Sequence, residues 1–200
     1  ATTVQPPVPG CVNWWEPQVS KHATLRKSDR GDADFYRDSF EKNTFTTLYN
    51  RQQFWQGDLT KALTNSYQSH FEQSGTIHWT VLNSDQQPMG LASLSNYSKA
   101  NARAEVSLGF PRNVPAREIM AASMLVLRFA FSVAKLNKLT SYVYEDNSHA
   151  QEFTKNFGFT HEGFLADHYL LPPFGFVSVN VFGLTKKCVQ HNERLRRVSV

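Results

Sequence analysis

The chain has 200 residues with 40% hydrophobic and 13% aromatic content, a composition that excludes a disordered chain and is enough for one cored domain. No apolar run approaches the ~20 residues of a membrane span, and the opening Ala1–Gly10 lacks the basic and apolar regions of a secretory signal, so a cytoplasmic location is expected. Net charge is +4, and residues 186–197 alone hold Lys186, Lys187, Arg194, Arg196 and Arg197 against Glu193, which leaves a neutral body and argues against a nucleic-acid binder.

In chain order, residues 1–18 read as an N-terminal arm. Proline disfavours regular pairing there, and the Trp14-Trp15 pair is apolar enough to dock on the body or on a partner. Lys21 to Arg26 predicts a first strand. A turn at residues 28–32 leads into a helix with Phe35, Phe40, Phe45, Leu48 and Tyr49 at near-helical spacing, and a second helix runs from Leu59 to Gln73. Ile77–Leu82 and Met89–Asn96 predict a hairpin, and Ala104–Phe110 a fourth strand. Pro115–Lys135 predicts a long helix with a wide apolar stripe, with Asn113 as a candidate cap. Leu139–Tyr144 is a fifth strand. A short helix and two strands, Phe159–Leu171 and Phe176–Leu184, complete a body over 19–187, and a basic, solvated tail follows over 188–200. The fold class is α/β (α+β), with a mixed sheet of about seven strands flanked by helices. Cys11 and Cys188 show no spacing that demands a disulfide, and the seven histidines show no metal-ligand spacing.

The segment between the fifth and sixth strands is the most informative. Asn147 is suited to cap a helix and Gly158 to end it in a positive-φ conformation. Asn147-Ser148-His149-Ala150, closing in Gly158-Phe159 and followed by His161-Glu162-Gly163, resembles the late motif of the GNAT N-acetyltransferase superfamily, in its ribosomal-protein-alanine-acetyltransferase branch. Leu25-Arg26, Met89-Gly90, Ala104-Glu105-Val106 and Arg128-Phe129-Ala130-Phe131 resemble the family's earlier motifs in the same order.

The resemblance implies a twisted sheet with its fourth and fifth strands splayed around an acyl-coenzyme A thioester, acetyl-CoA or another acyl-CoA, without a metal. It implies transfer of the acyl group to an amine, on a small molecule or a protein N-terminus. Leu108, Gly109 and Phe110 would hold the donor arm, and Asn147 the pantetheine. The family's pyrophosphate loop is glycine-rich. Here Pro111 to Ile119 contains no glycine, so Arg112, Ala116 and Arg117 would serve, with the arginines supplying charge or with Arg117 filling the site itself. Glu105 matches the family's general base, or is a structural carboxylate paired with Arg103 or another cation. The family's acid positions fall on Ala150, which cannot donate, and on Thr154, which carries a short hydroxyl. Two further readings stay open: a catalytically inactive binding module, and an acyltransferase with an acyl-carrier-protein donor. Pro172 to Phe176 with Tyr36, Phe40, Tyr49 and Trp55 suggests an apolar acceptor groove or, equally, core.

Overall fold

Alternation and turn chemistry lay out the chain much as expected. The computed structural model describes residues 14–41 and 57–198. Phe45, Leu48, Tyr49, Trp55 and Cys11 lie outside them. Among the described residues eight strands form one sheet: β1 (Gln18–Val19), β2 (Thr24–Lys27), β3 (Ile77–Leu82), β4 (Pro88–Ser98), β5 (Arg103–Gly109), β6 (Lys138–Tyr144), β7 (Thr160–Leu171) and β8 (Gly175–Thr185), in the order β1-β2-β3-β4-β5-β6-β8-β7. Every pairing is antiparallel except β5 with β6. The eighth strand is β1, a two-residue edge piece at the end of the predicted arm.

The helices are α1 (Ala33–Glu41), α2 (Leu59–Gln68), α3 (Phe71–Ser74), α4 (Ala116–Arg128), α5 (Ser148–Asn156) and α6 (Lys186–His191). The single helix expected over 59–73 divides because Ser69 and His70 are extended, with ψ of 137° and 133°. The long helix also differs from expectation. It begins at Ala116 with Pro115 at the cap position and no side-chain cap, so Asn113 does not cap it. After Arg128 it widens into a π-turn over Phe129–Val133, where Phe129, Ala130 and Phe131 are buried.

Sheet parity divides the molecule into two faces. Val106, Leu139, Val143, Phe182 and Leu184 face the main core, with α4 and Trp79. The opposite face carries two smaller clusters. Ala33 and Tyr36 of α1 and Leu63 of α2 cluster with Leu91 of β4, and Tyr144, Leu171 and Val179 pack at the far end of β6 to β8. Trp14 is buried in the main core, 5.1 Å from Phe71 and 5.5 Å from Phe129 between ring centroids. Trp15 Nε1 donates to the Tyr67 carbonyl at 2.7 Å. Below it lies Lys27, whose ammonium donates to the Tyr67 and Ser69 carbonyls at 2.8 Å each and sits 4.6 Å from the Trp15 ring centroid. The tail also departs from expectation. Val189 and Leu195 are fully buried in the main core, so α6 and the turn at Arg196–Val198 are docked against the body rather than solvated throughout.

One charge pair spans three strands. Lys138 Nζ on β6 meets Glu162 Oε2 on β7 at 2.7 Å, and the carboxylate crosses over Gly183 on the intervening β8. Any side chain at 183 would collide with it.

Candidate functional site

β5 and β6 pair only at Arg103 with Lys138, Ala104 with Leu139, and Glu105 with Thr140. Beyond that point the ladder stops and the strands separate, as expected from the sequence for the fourth and fifth predicted strands. A parallel ladder satisfies both edges only while the strands stay near 4.8 Å apart, so its end turns the facing edges of residues 106–110 and 141–144 toward a gap. The gap is a cleft of about 260 Å³.

α5 closes one side of the cleft. Asn147 is its cap, with Oδ1 accepting the Ala150 amide at 3.0 Å, and Gly158 follows its end with φ of 112°. The turn therefore places Ala150, Phe153 and Thr154 on the cleft wall, together with Ile119 and Leu127 of α4. The second side is the opposite face of the sheet. Glu105 pairs with both Ser95 and Thr140, and Tyr142 and Tyr144 follow Thr140 at the strand's two-residue period, so all point to that side. The cleft thus passes through the sheet, apolar toward α4 and α5 and polar toward Glu105.

Of the residues singled out from the sequence, Glu105, Leu108, Gly109, Phe110, Asn147 and Thr154 all line this cleft. Arg112, Ala116 and Arg117 do not. They are exposed at and just before the start of α4. There Glu118 and Ile119 donate to the Pro115 carbonyl at 2.9 and 3.2 Å, and the first amides of the helix point out of its end. Phe110 is placed by Gly90, since a Cβ there would lie 2.5 Å from the Phe110 ring. Glu105 is half-buried and forms no salt bridge with Arg103 or any other described residue.

Several cleft residues were not picked out from the sequence. His149 lines the cleft, as do Tyr142, Tyr144 and Tyr169. Burial, and secondarily the charge of Glu105, push the Tyr142 and Tyr169 hydroxyls above the ordinary tyrosine value, which keeps both protonated. The period-two spacing of Tyr142 and Tyr144 was visible, but their side of the sheet required the β5–β6 register. The expected apolar groove is not formed by its described members. Tyr36 is buried in the core with its hydroxyl 2.8 Å from Ser28 Oγ, Phe40 packs beside it, and Phe174 and Phe176 are exposed away from the cleft. Among the described residues no group of three His, Cys, Asp or Glu could hold a metal, and no helix is long and apolar enough to cross a membrane.

Comparison with solved structures finds the same fold. Spermidine N-acetyltransferase from Vibrio cholerae in complex with CoA and spermine superposes with a TM-score of 0.71 at 18% identity, covering 84% of this chain and 98% of that one. A probable acetyltransferase gives a TM-score of 0.73 at 18% identity, covering 86% and 98%. No curated protein sequence matches the chain. A family model described as an acetyltransferase (GNAT) domain matches residues 22–160. That span takes in the fourth and fifth predicted strands and the α5 motif, and by this match the chain belongs to the GNAT acetyltransferase family.

Proposed function

We propose that this chain transfers an acyl group, acetyl in the simplest case, from a coenzyme A thioester to an amine. The observation that carries the reading is the opening of the sheet beyond Glu105 and Thr140, which leaves backbone edges facing a cleft with a carboxylate at its closed end. An extended pantetheine arm has amides that can pair with such an edge as an added strand would. Leu108, Gly109 and Phe110 supply that edge, and Phe153 and Ile119 supply apolar walls. Asn147 lines the cleft at the start of α5, with its oxygen capping the helix, and so fixes the wall along which the pantetheine arm would lie.

The acceptor is an amine on a small molecule or a protein N-terminus, approaching from the Glu105 side. Glu105 takes a proton from the amine, directly or through water. The freed nitrogen lone pair attacks the acyl carbon, the C–N bond forms, the C–S bond breaks, and the second proton that the nitrogen sheds passes to the thiolate. Thr154 on the α5 wall relays that proton, giving its own to sulfur as it takes the one from nitrogen. At the other end the donor's pyrophosphate meets the uncapped start of α4, where the helix dipole favours an anion and Arg112 and Arg117 add charge. This arrangement replaces the glycine-rich loop of the ribosomal-protein-alanine branch that the motifs resemble. Pro115 removes one amide donor from that end, which favours as a second reading an acyl-carrier-protein donor lacking the adenosine diphosphate portion.

Calorimetric titration with CoA tests the reading. Binding is expected to weaken with added salt and in Arg117→Ala. Absence of CoA binding, restored by Arg117→Gly, would replace the transferase reading with that of a binding module whose phosphate position is filled by Arg117.

A further inference from the structure

Between Leu165 and Tyr169, β7 carries two more residues than its partner strand can pair. Leu165 pairs with Val179 and Tyr169 with Val177, so four steps on β7 match two on β8. The surplus is taken up around Asp167, whose φ is 47° and whose amide donates to Ser178 Oγ at 3.1 Å. In a regular strand His168 and Tyr169 would face opposite sides of the sheet. Here the two rings meet at 4.5 Å between centroids. His168 also lies parallel to Tyr142 at 6.1 Å, and Tyr169 sits 6.2 Å from Tyr144. Bulges re-aim side chains at the expense of ladder pairing, and this one brings two successive rings against two tyrosines of β6.

Tyr142, Tyr144 and Tyr169 line the cleft with Glu105, whereas His168 is exposed outside it, against Tyr142 and Tyr169. Both Tyr142 and Tyr169 feel the Glu105 charge, and on Tyr142 the cations Arg103 and Lys138 act in the opposite sense. Lys138 is itself paired with Glu162. The result is a carboxylate without a salt-bridge partner among the described residues, in a cleft that three tyrosines also line. Ring faces and a carboxylate both attract a cation, and a partly desolvated position strengthens that attraction. A neutral apolar acceptor would draw nothing from Glu105.

We infer that Tyr142, Tyr144 and Tyr169 form with Glu105 a cation-selective acceptor subsite that takes the acceptor as an alkylammonium ion, with His168 as a positioning residue holding Tyr142 and Tyr169. The inference rests on the transferase reading given above. In the subsite an N–H bond of the ammonium breaks and the proton passes to the Glu105 carboxylate. This leaves the lone pair on nitrogen for attack.

The test titrates n-butylammonium chloride, and n-butanol as its neutral counterpart, into the full chain with isotope-labelled tyrosine rings and leucine methyl groups, with and without CoA. Butylammonium is expected to shift the ring signals of Tyr142, Tyr144 and Tyr169 saturably, and butanol to leave them in place. Tyr169→Leu should weaken butylammonium binding by about five- to thirtyfold. His168→Leu should weaken it as well, and His168→Phe, which keeps a stacking ring, should restore it. Equal shifts from both probes, shifts from neither, or a His168→Leu variant that binds as the parent does would overturn the inference. CoA binding is read separately from the Leu108 methyl signals. Its absence would sink the transferase reading, while the CoA-free titration still decides the subsite.

Discussion

Replacing Gly90 with alanine places a methyl group 2.5 and 2.7 Å from two carbons of the Phe110 ring and 2.8 Å from the Gly109 carbonyl oxygen. Carbon atoms in contact rest about 3.5–4.0 Å apart, so the ring must retreat by roughly 1 Å. The carbonyl cannot swing aside, because Gly109 sits in β5 opposite Leu91 of β4. The end of β5 must shift with it. Adding a methyl to a packed site of this kind costs about 1–3 kcal/mol, and in a domain of this size each kcal/mol lowers Tm by about 2–4 °C. Thermal denaturation should therefore show a fall of about 2–12 °C. Gly109 and Phe110 line the cleft, so calorimetry should show weaker CoA binding in the same variant. Adding Phe110→Leu removes the ring contact and leaves the carbonyl contact, so part of the lost stability should return. A Gly90→Ala protein with unchanged Tm and unchanged CoA affinity would refute this account of the cleft, as would strict additivity of the two substitutions.

Three further outcomes follow from other parts of the molecule. Leu195→Ala should cost about 2–5 kcal/mol in urea unfolding, because Leu195 is fully buried in the main core; a change near zero would return the tail to solvent. Burial, helped by the Lys27 charge, lowers His78 from 6.5 to about 4, so the unfolded chain binds its proton first as pH falls. The stability His78 contributes is complete above about 6.5 and lost toward about 4, with a slope of up to about 1.4 kcal/mol per pH unit. His78→Gln should flatten that limb in urea titrations, and an identical slope in the variant would count against it. Asn147→Ala removes the cap on the Ala150 amide and should cost about 0.5–2 kcal/mol, measured by chemical denaturation; no loss would mean that water replaces the cap.

The parts legible in the sequence are those governed by local chemistry. Asn147 and Gly158 announce α5 because a cap and a positive-φ terminator are properties of single residues. Glu105, Leu108 and Thr154 reached one cleft because a motif order resembling a known family carried the strand pairing with it. The start of α4 was misread at Asn113 because a cap there needs Val114 in the helical region, which the ring of Pro115 disfavours. Tyr142 and Tyr169 stayed hidden for a different reason. Their neighbourhood depends on a two-residue surplus in β7, which only the register against β8 reveals. Val189 and Leu195 were similarly masked, because five cations around them made the segment look solvated.

The Lys138–Glu162 pair sits where β5 and β6 are still joined. From Thr140 to Tyr144 the edge of β6 facing the gap is about 13 Å long, at roughly 3.3 Å for each residue, while its other edge stays laddered to β8. Over that lever a turn of about 5° at the joined end moves the tip by roughly 1 Å, a displacement large enough to matter for an attacking group. The clamp across Gly183 fastens β6, β8 and β7 into one jaw at that joined end. A stiffer clamp is expected to hold the far opening narrower, although neither Lys138 nor Glu162 lines the cleft. Weakening it should loosen the jaws while leaving every surface inside them unchanged.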